Sequence, residues 1–382
     1  MTQCPIAPGD TFTYKFPATQ YGTTWYHSHF SLQYADGLYG PIIINGPASA
    51  NYDTDLGTVM LTDWGHESAF ALYDVAKIGA PPTLENTLIN GTNTFDCTST
   101  TDANCLGTGS YFETTFEAGQ SYRMRFINSA TDAHFRLSID NHNFTVIAMD
   151  LVPIVPFDTD NLLIAIGQRY DIVVTATEKS GDYWLRAGWQ SACSTNLNPN
   201  NALGIIRYDS SSTADPTSTQ QTTVAMLASS CQDQDLADLV PYLSTTIDTA
   251  TNTDQELDLD FVTTTSIMWT INTSTLLLNW SDPTILQVYN NISQFPTDYN
   301  VVALTGVNEW VYFIIQDNSG LGISHPIHLH GHDFWIIGQS TDTYDASTAV
   351  FNLDNPPRRD TATLPGGGYL AMAFLTDNPG SW

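Results

Sequence analysis

Residues 325–332 read His325-Pro-Ile-His-Leu-His-Gly-His332, so four histidines fall within eight positions. On an extended strand, side chains two positions apart lie on the same face. We therefore expect His328 and His330 to point together, while His325, three positions before His328, points elsewhere. Packing alone does not explain so many histidines in one short segment. The segment predicts a metal site on a β-strand, with a second centre served by His325.

A second histidine pair lies near the start of the chain, in Trp25-Tyr-His-Ser-His-Phe30. His27 and His29 have the same two-residue spacing and are expected to share a face. Alone, such a pair is more often explained by two solvent-facing strand histidines. Together the two segments predict a nitrogen-rich site for copper, zinc, iron or nickel, and copper(II) heads the divalent affinity order. Zinc is an alternative on ligand chemistry, although it gives no reason for two adjacent centres.

The rest of the chain predicts an all-β protein of β-sandwich type. Short segments rich in β-branched and aromatic residues are separated by Gly, Pro, Asn and Asp turns. The best candidate for a short helix is Asp233–Tyr242. Predicted strands are Thr11–Phe16, Gly40–Ile44, Tyr122–Ile127, Phe135–Ile139, Thr145–Ala148, Asp171–Thr175, Tyr183–Ala187, Trp310–Ile315 and Leu370–Leu375.

Two polar, turn-rich stretches predict linkers at residues 48–56 and 210–223. They divide the chain into a short first unit, residues 1–47, a complete middle unit, residues 57–209, and a last unit, residues 224–382. No clear internal repeat is visible.

The charge balance limits the partners. The chain has 11 Lys and Arg against 40 Asp and Glu, a formal net charge of −29. So acidic a surface repels phosphate backbones and anionic lipids, which argues against nucleic acid and membrane partners. Apolar runs are too short to span a bilayer. We expect a monomer.

Five N-x-S/T sequons and five cysteines indicate a secreted protein whose signal peptide is absent from this sequence. Cys97 and Cys105 flank a polar loop and could form a local disulfide. Cys193 and Cys231 flank the most linker-like stretch, and a bridge there would contribute roughly 3–4 kcal/mol. Cys4 is left without a partner.

The histidine motifs resemble two of the four copper signatures of multicopper oxidases. Tyr26-His-Ser-His-Phe30, followed by Gln33-Tyr-Ala-Asp-Gly-Leu38, resembles the second signature, and residues 325–332 resemble the third. Asp63-Trp64, Gly167-Gln-Arg-Tyr-Asp171 and Thr376-Asp-Asn-Pro-Gly380 are similar to segments of fungal laccases of the ascomycete type. The likeness runs through essentially the whole chain. It implies three cupredoxin-like Greek-key domains in the intact parent, with the first and third incomplete here.

By motif position, the resemblance assigns five copper ligands. His27 and His29 would bind the type 3 pair, His328 the type 2 copper and His330 a type 3 copper, while His325 would bind the type 1 copper. His332 is not a ligand in the family. The family's first signature, His-Trp-His-Gly, and its fourth, which contains His-Cys-His, have no counterpart in these 382 residues. The resemblance therefore implies a chain truncated at both ends, inactive alone, whose Cys4 has lost its partner.

The resemblance also implies an activity, namely one-electron oxidation of phenols or aromatic amines with reduction of dioxygen to water. His325 would be the entry point for electrons. Asp132, in Ser129-Ala-Thr-Asp-Ala-His-Phe135, matches the acid of the laccase substrate pocket, although a loop aspartate that caps a turn is an equal alternative. Asp36 is interpreted as a turn residue.

The other histidines receive structural interpretations: His66, His134 and His142. Two alternative functions stay open. The parent could be an iron(II) oxidase or an ascorbate oxidase, or the chain could be a non-catalytic copper-binding product.

Overall fold

The computed structural model describes residues 3–79, 81–249, 252–277 and 279–382. Nearly all of its regular structure is β. The helices are short: α1 (Ala69–Ala76), α2 (Thr222–Ala225) and α3 (Thr284–Tyr289), with 3-10 turns at Cys97–Ser99 and Thr297–Tyr299. None of the helices in the described ranges has the length and apolar character that a bilayer crossing requires.

The first unit contributes one antiparallel hairpin. It consists of β1 (Gly22–His27) and β2 (Tyr39–Ile44), paired from Gly22 opposite Ile44 to His27 opposite Tyr39. Thr23 is fully buried against the second unit, where its hydroxyl donates to Asp171 Oδ1 at 2.6 Å. This contact fixes β1, and therefore the position of His27 at its end.

The second unit is a sandwich of two sheets. In the six-stranded sheet the order is β4-β3-β6-β11-β8-β9, and in the five-stranded sheet it is β10-β7-β12-β13-β5. The strands are β3 (Thr54–Trp64), β4 (Asn86–Ile89), β5 (Phe112–Thr115), β6 (Ser121–Asn128), β7 (Phe135–Ile139), β8 (Phe144–Met149), β9 (Val152–Thr159), β10 (Leu162–Ile164), β11 (Arg169–Thr175), β12 (Asp182–Trp189) and β13 (Leu203–Arg207).

The core of the second unit lies between these sheets. β12 shows the expected alternation, with every second side chain buried, because successive residues point to opposite faces. β6 and β11 are buried almost continuously. They pack on the core with one face, and their other face carries the contacts with β1.

The third unit combines a six-stranded sheet, in the order β15-β14-β16-β21-β18-β19, with the two-stranded sheet β17-β20. One apolar cluster includes Phe334, Met372 and Leu364 and reaches Ile327 of β17. A second cluster, around Trp310 and Trp335, covers the other face. The strands are β14 (Asn252–Thr263), β15 (Ile267–Ile271), β16 (Trp310–Asp317), β17 (His325–His328), β18 (Phe334–Ser340), β19 (Arg358–Arg359), β20 (Thr361–Leu364) and β21 (Tyr369–Leu375).

The all-β prediction is confirmed, and eight of the nine predicted strands coincide with strands of the structure. Two predictions are wrong. Thr11–Phe16 is exposed and pairs with no described strand. Asp233–Tyr242 is not a helix, because the buried Asp233 side chain and the bridge between Pro241 and Ile154 hold the chain against its neighbours. The linker boundaries stay predictions.

Both expected disulfides are present, Cys97–Cys105 and Cys193–Cys231, and Cys4 is free and exposed.

Candidate metal centre

Four imidazoles from the two distant segments meet at one place. The His27 and His29 ring centroids are 4.6 Å apart, and those of His328 and His330 are 5.1 Å apart. Between the segments, the His29 and His330 centroids are separated by 4.9 Å. The structure thus brings the two predicted pairs together, while their roles as metal ligands stay a prediction.

Local structure explains how β17 presents its histidines. His325 lies opposite Leu364 and His328 opposite Thr361 in the β17–β20 ladder. After His330 the chain turns at Gly331, whose φ is +72°. An added Cβ there would lie 2.3 Å from the Trp382 ring, so the turn needs glycine.

Hydrogen bonds orient two of the rings. His328 Nδ1 lies 2.6 Å from the Asp360 carbonyl oxygen, and His27 Nδ1 lies 3.3 Å from the Ser28 carbonyl oxygen. A carbonyl only accepts, so each Nδ1 carries the proton and each Nε2 keeps its lone pair. Metal-binding histidines are typically held in this way.

Desolvation favours the neutral form of three of the four clustered rings. Desolvation, and then the neighbouring histidines, lower the pKa of His29 and of His330 to about 4. Desolvation also lowers the pKa of His27. Neutral imidazoles are the form that binds metals.

The residues present fit copper. The donor set is imidazole only, and the Nε2 atom of His325 is buried with no hydrogen-bond partner. In the described part of the chain, no three of the clustered histidines bring their ring nitrogens within 4.8 Å of one another. In this arrangement no three of the four rings can bind one ion without moving.

The His325 ring contacts a neighbour outside the four clustered histidines. Its ring packs edge-on against Trp269, with centroids 4.6 Å apart. Desolvation lowers its pKa, and the Asp317 carboxylate acts in the opposite direction. The segment from His325 to His328 is thus a direct covalent link between two candidate sites.

An ion-pair network holds the cluster in place, and sequence reasoning did not identify it. Arg169, in the Gly167–Asp171 motif, donates to both carboxylate oxygens of Asp360 at 2.5 Å, and its Nε donates to the Thr23 carbonyl oxygen at 3.0 Å. Burial opposes the charge of Asp360, yet the Arg169 guanidinium holds the pKa of Asp360 well below its usual range. Because Asp360 also accepts from His328, this network joins all three units at the metal centre.

A second buried pair supports the first. Arg359 is fully buried, and its Nε donates to Asp150 Oδ2 at 3.1 Å while its Nη1 donates to the Tyr170 hydroxyl at 3.0 Å. The sequence did contain a signal for these ion pairs. The chain has only 11 Lys and Arg, and an arginine that is buried needs an acidic partner.

Asp132 lines a cavity of about 450 Å³ between the first and second units. Burial, followed by the nearby Asp63 carboxylate, raises the pKa of Asp132 to about 6. Asp63 itself accepts the backbone N–H groups of Thr131, Asp132 and Ala133. The capping role in this loop therefore falls to Asp63. Trp64, Leu72, Pro81 and Pro82 also line this cavity.

The cavity and β17 are separate features in the described ranges. All lining residues of the cavity fall within residues 32–84 and 131–132, and His325 is not among them. The predicted roles of Asp132 in a substrate pocket and of His325 in electron entry therefore stay predictions.

The remaining histidines make structural contacts. His142 is buried, with Nδ1 2.7 Å from the Asp140 carbonyl oxygen and Nε2 2.7 Å from the Tyr208 hydroxyl. His66 packs edge-on against Phe95 at 4.4 Å. His134 is buried, and desolvation lowers its pKa to about 4.

Comparison with known proteins agrees with this geometry. Profiles of the multicopper oxidase family match residues 1–49, 55–211 and 252–382. Laccase-2 of Botryotinia fuckeliana is 59% identical over 387 residues, and the match covers 100% of this chain and 66% of that protein. Laccase-1 of the same organism is 53% identical, and the match covers 100% of this chain and 65% of that protein. This chain spans about two thirds of the length of these relatives.

Solved structures give the same result. The crystal structure of the laccase from Botrytis aclada superposes with a TM-score of 0.94 at 58% identity, covering 99% of this chain and 69% of that one. That of Fet3p, a multicopper oxidase that functions in iron import, superposes with a TM-score of 0.82 at 23% identity, covering 99% and 72%. The cupredoxin-like fold predicted from the sequence is thereby confirmed.

An all-β fold whose units converge on clustered imidazoles defines a copper protein of cupredoxin-like architecture. The chain belongs to the multicopper oxidase family. Copper is the cofactor that this family implies for the cluster.

Proposed function

We propose that this protein is a copper-dependent oxidoreductase of the laccase type, which oxidises phenols or aromatic amines in one-electron steps and reduces dioxygen to water. The observation that carries the proposal is the meeting of His29 with His330, at 4.9 Å. Relatives at 59% and 53% identity that are named laccases support the same activity.

In this proposal the cluster His27, His29, His328 and His330 would hold the copper that supplies the chemistry with dioxygen, and His325 would hold a separate copper. Bound copper supplies the one-electron chemistry. The chain supplies orientation, since the Asp360 carbonyl aligns His328 and the Arg169 pair fixes Asp360. His325 is the proposed entry point for electrons, because β17 links it to His328 through only two residues.

Asp132 is proposed as the acceptor of the phenolic proton. A phenol loses a proton as it loses an electron, and a nearby carboxylate assists that step. A pKa of about 6 leaves Asp132 ionised, and therefore basic, at neutral pH. The apolar walls at Trp64, Leu72 and the two prolines suit an aromatic ring.

The test is dioxygen uptake, with a phenol as reductant, by copper-loaded protein that carries all four copper signatures, because the 382-residue chain alone is expected to be inactive. We expect uptake coupled to phenol oxidation, and its loss together with loss of bound copper in His29→Ala and His330→Ala. The same assay with iron(II) separates the alternatives. Uptake with iron(II) but none with phenols would reject the laccase proposal in favour of an iron(II) oxidase.

We further propose that the protein is secreted, monomeric and N-glycosylated. All five sequon asparagines are exposed: Asn90, Asn143, Asn272, Asn279 and Asn291. The Asn90 and Asn272 amide groups donate to backbone carbonyls, so we expect higher occupancy at the other three. Glycopeptide mass spectrometry measures occupancy, and protein without glycans from its native host would contradict the secretory route.

A further inference from the structure

Three potential metal ligands lie together outside the histidine cluster, namely His134, Cys193 and Cys231. One ring nitrogen of His134 and both sulfur atoms all lie within 4.8 Å of one another. The cysteines form a disulfide. His134 is 4% exposed and its ring has a hydrogen bond with the Gln232 backbone, while its Nε2 atom has no hydrogen-bond partner. A buried imidazole nitrogen without a partner is unusual and requires an explanation.

We propose that this group, the His134 triad, is a redox-gated metal site that binds one thiolate-preferring d10 ion, Zn²⁺ or Cu⁺, when its disulfide is reduced. The reductant is a dithiol, which supplies two electrons and two protons and closes to its own disulfide. The S–S bond breaks to give two thiols. Metal binding then releases both protons, leaving two thiolates and one imidazole on the ion.

The distances require little rearrangement. Metal–sulfur bonds of about 2.3 Å and metal–nitrogen bonds of about 2.0 Å place tetrahedral ligand atoms roughly 3.5–3.8 Å apart. The three atoms are already within 4.8 Å, so side-chain rotations suffice.

Backbone contacts keep the triad together without the disulfide. Gln190 is the common anchor: its N–H donates to the His134 carbonyl at 2.9 Å, and its own carbonyl accepts from Cys193 N–H at 3.0 Å. The Gln190 side-chain oxygen accepts from Ser230 N–H, beside Cys231, at 3.0 Å. All three ligand positions are thus fixed to one residue.

The donor set selects the ion. Thiolates favour Zn²⁺ and Cu⁺ over Mg²⁺ and Ca²⁺. The Asp233 carboxylate, two positions after Cys231, is engaged on both oxygens by Gln168, Gln339 and Thr363. It is therefore not available as a fourth ligand, and that position is left to water. Ala192 and Ser229, which flank the bridge, are exposed, so a small dithiol can reach it.

The test uses the 382-residue chain with Cys4, Cys97 and Cys105 replaced by serine, so that only this pair can ligate. The protein is reduced with dithiothreitol, and the reductant is then removed under anaerobic conditions. The reduced protein is titrated with Co²⁺ as the probe. Thiolate ligation gives a sulfur-to-cobalt charge-transfer band that histidine-only sites lack. We expect the band to saturate at one equivalent in the reduced protein, to be absent in the oxidised protein, and to disappear on addition of Zn²⁺.

His134→Gln should weaken Co²⁺ binding at least about tenfold, since even outer-shell partners contribute that much. His66→Gln, at an exposed histidine outside the triad, should leave it unchanged. A parallel measurement uses the protein with His134 unchanged. There, bound Zn²⁺ should protect the Cys193 and Cys231 thiols of the reduced protein from alkylation. A reduced protein without the band, His134→Gln binding as tightly as its parent, or no protection would each overturn the proposal.

Discussion

At the scale of single residues, Asp132 is the clearest case of an environment that opposes a charge. Burial and the Asp63 carboxylate raise its pKa from 3.8 to about 6. The folded state therefore holds the proton more tightly than the unfolded state, and stability falls as pH rises from about 3.8 to 6. We expect Asp132→Asn to have little effect below this window. Above it the substitution should stabilise the protein by about 1–2 kcal/mol, less than the full shift implies because the side chain is partly exposed.

Denaturant unfolding of Asp132→Asn at a series of pH values measures this effect. Asp10→Asn, at an exposed position, serves as the control and should follow the parent throughout. A gain in stability that is the same at pH 4 and pH 7 would show that charge is not its cause.

Residue spacing predicted that each histidine pair lies together, although only the first member of each pair is in a strand, since β1 ends at His27 and β17 ends at His328. The orientation of His328 could not be predicted in this way. It depends on Asp360, 32 positions later, and on Arg169, 191 positions from Asp360. Such partners are brought together only by the packing of separate units.

At the scale of elements, the position of β1 depends on one buried hydroxyl. Thr23 donates to Asp171 at 2.6 Å and accepts from Arg125 Nη1 at 3.0 Å. Thr23→Val keeps the shape of the side chain but leaves both partners one hydrogen bond short in a buried site. We expect a loss of about 1–3 kcal/mol and weaker copper retention, because β1 ends at His27. Equilibrium unfolding and copper analysis after dialysis measure the two effects.

Thr24→Val, at the neighbouring half-buried position on the other face of β1, is the matched control and should change both quantities little. Equal losses in the two variants would mean that the hydroxyl of Thr23 has no special role.

Strand prediction succeeded where local composition and burial agree, as in Phe135–Ile139, where the predicted and observed bounds are identical. It was wrong for Thr11–Phe16, whose alternation is suitable for a strand but which has no partner among the described strands. The helix expected at Asp233–Tyr242 was wrong because Asp233 bonds Thr363 and Gln339 of the third unit. Sequence periodicity carries no information about such contacts.

At the scale of the whole molecule, buried ion pairs tie the units together around the metal centre. Asp150 lies in the turn between β8 and β9 of the second unit and Arg359 lies in β19 of the third; both are almost fully buried. Asp150 also accepts the backbone N–H groups of Arg169 and Asp360. The contact between these units is therefore polar and specific. We expect its loss to weaken the association of the two units more than it destabilises either core.

Arg359→Met tests this junction, because it keeps side-chain bulk while removing one of the two guanidinium groups that pair with Asp150, the other being Arg169 at 3.5 Å. Breaking a buried pair on one side costs about 3–5 kcal/mol, so we expect the third unit to melt at a clearly lower temperature than the second. Calorimetry of the copper-free protein resolves the two transitions, which a single unfolding free energy would not describe.

Arg358→Met is the matched control. Arg358 pairs with Asp333 at a partly exposed position, so this substitution should cost about 1 kcal/mol or less. A single unshifted transition in Arg359→Met would show that the pair does not hold the units together.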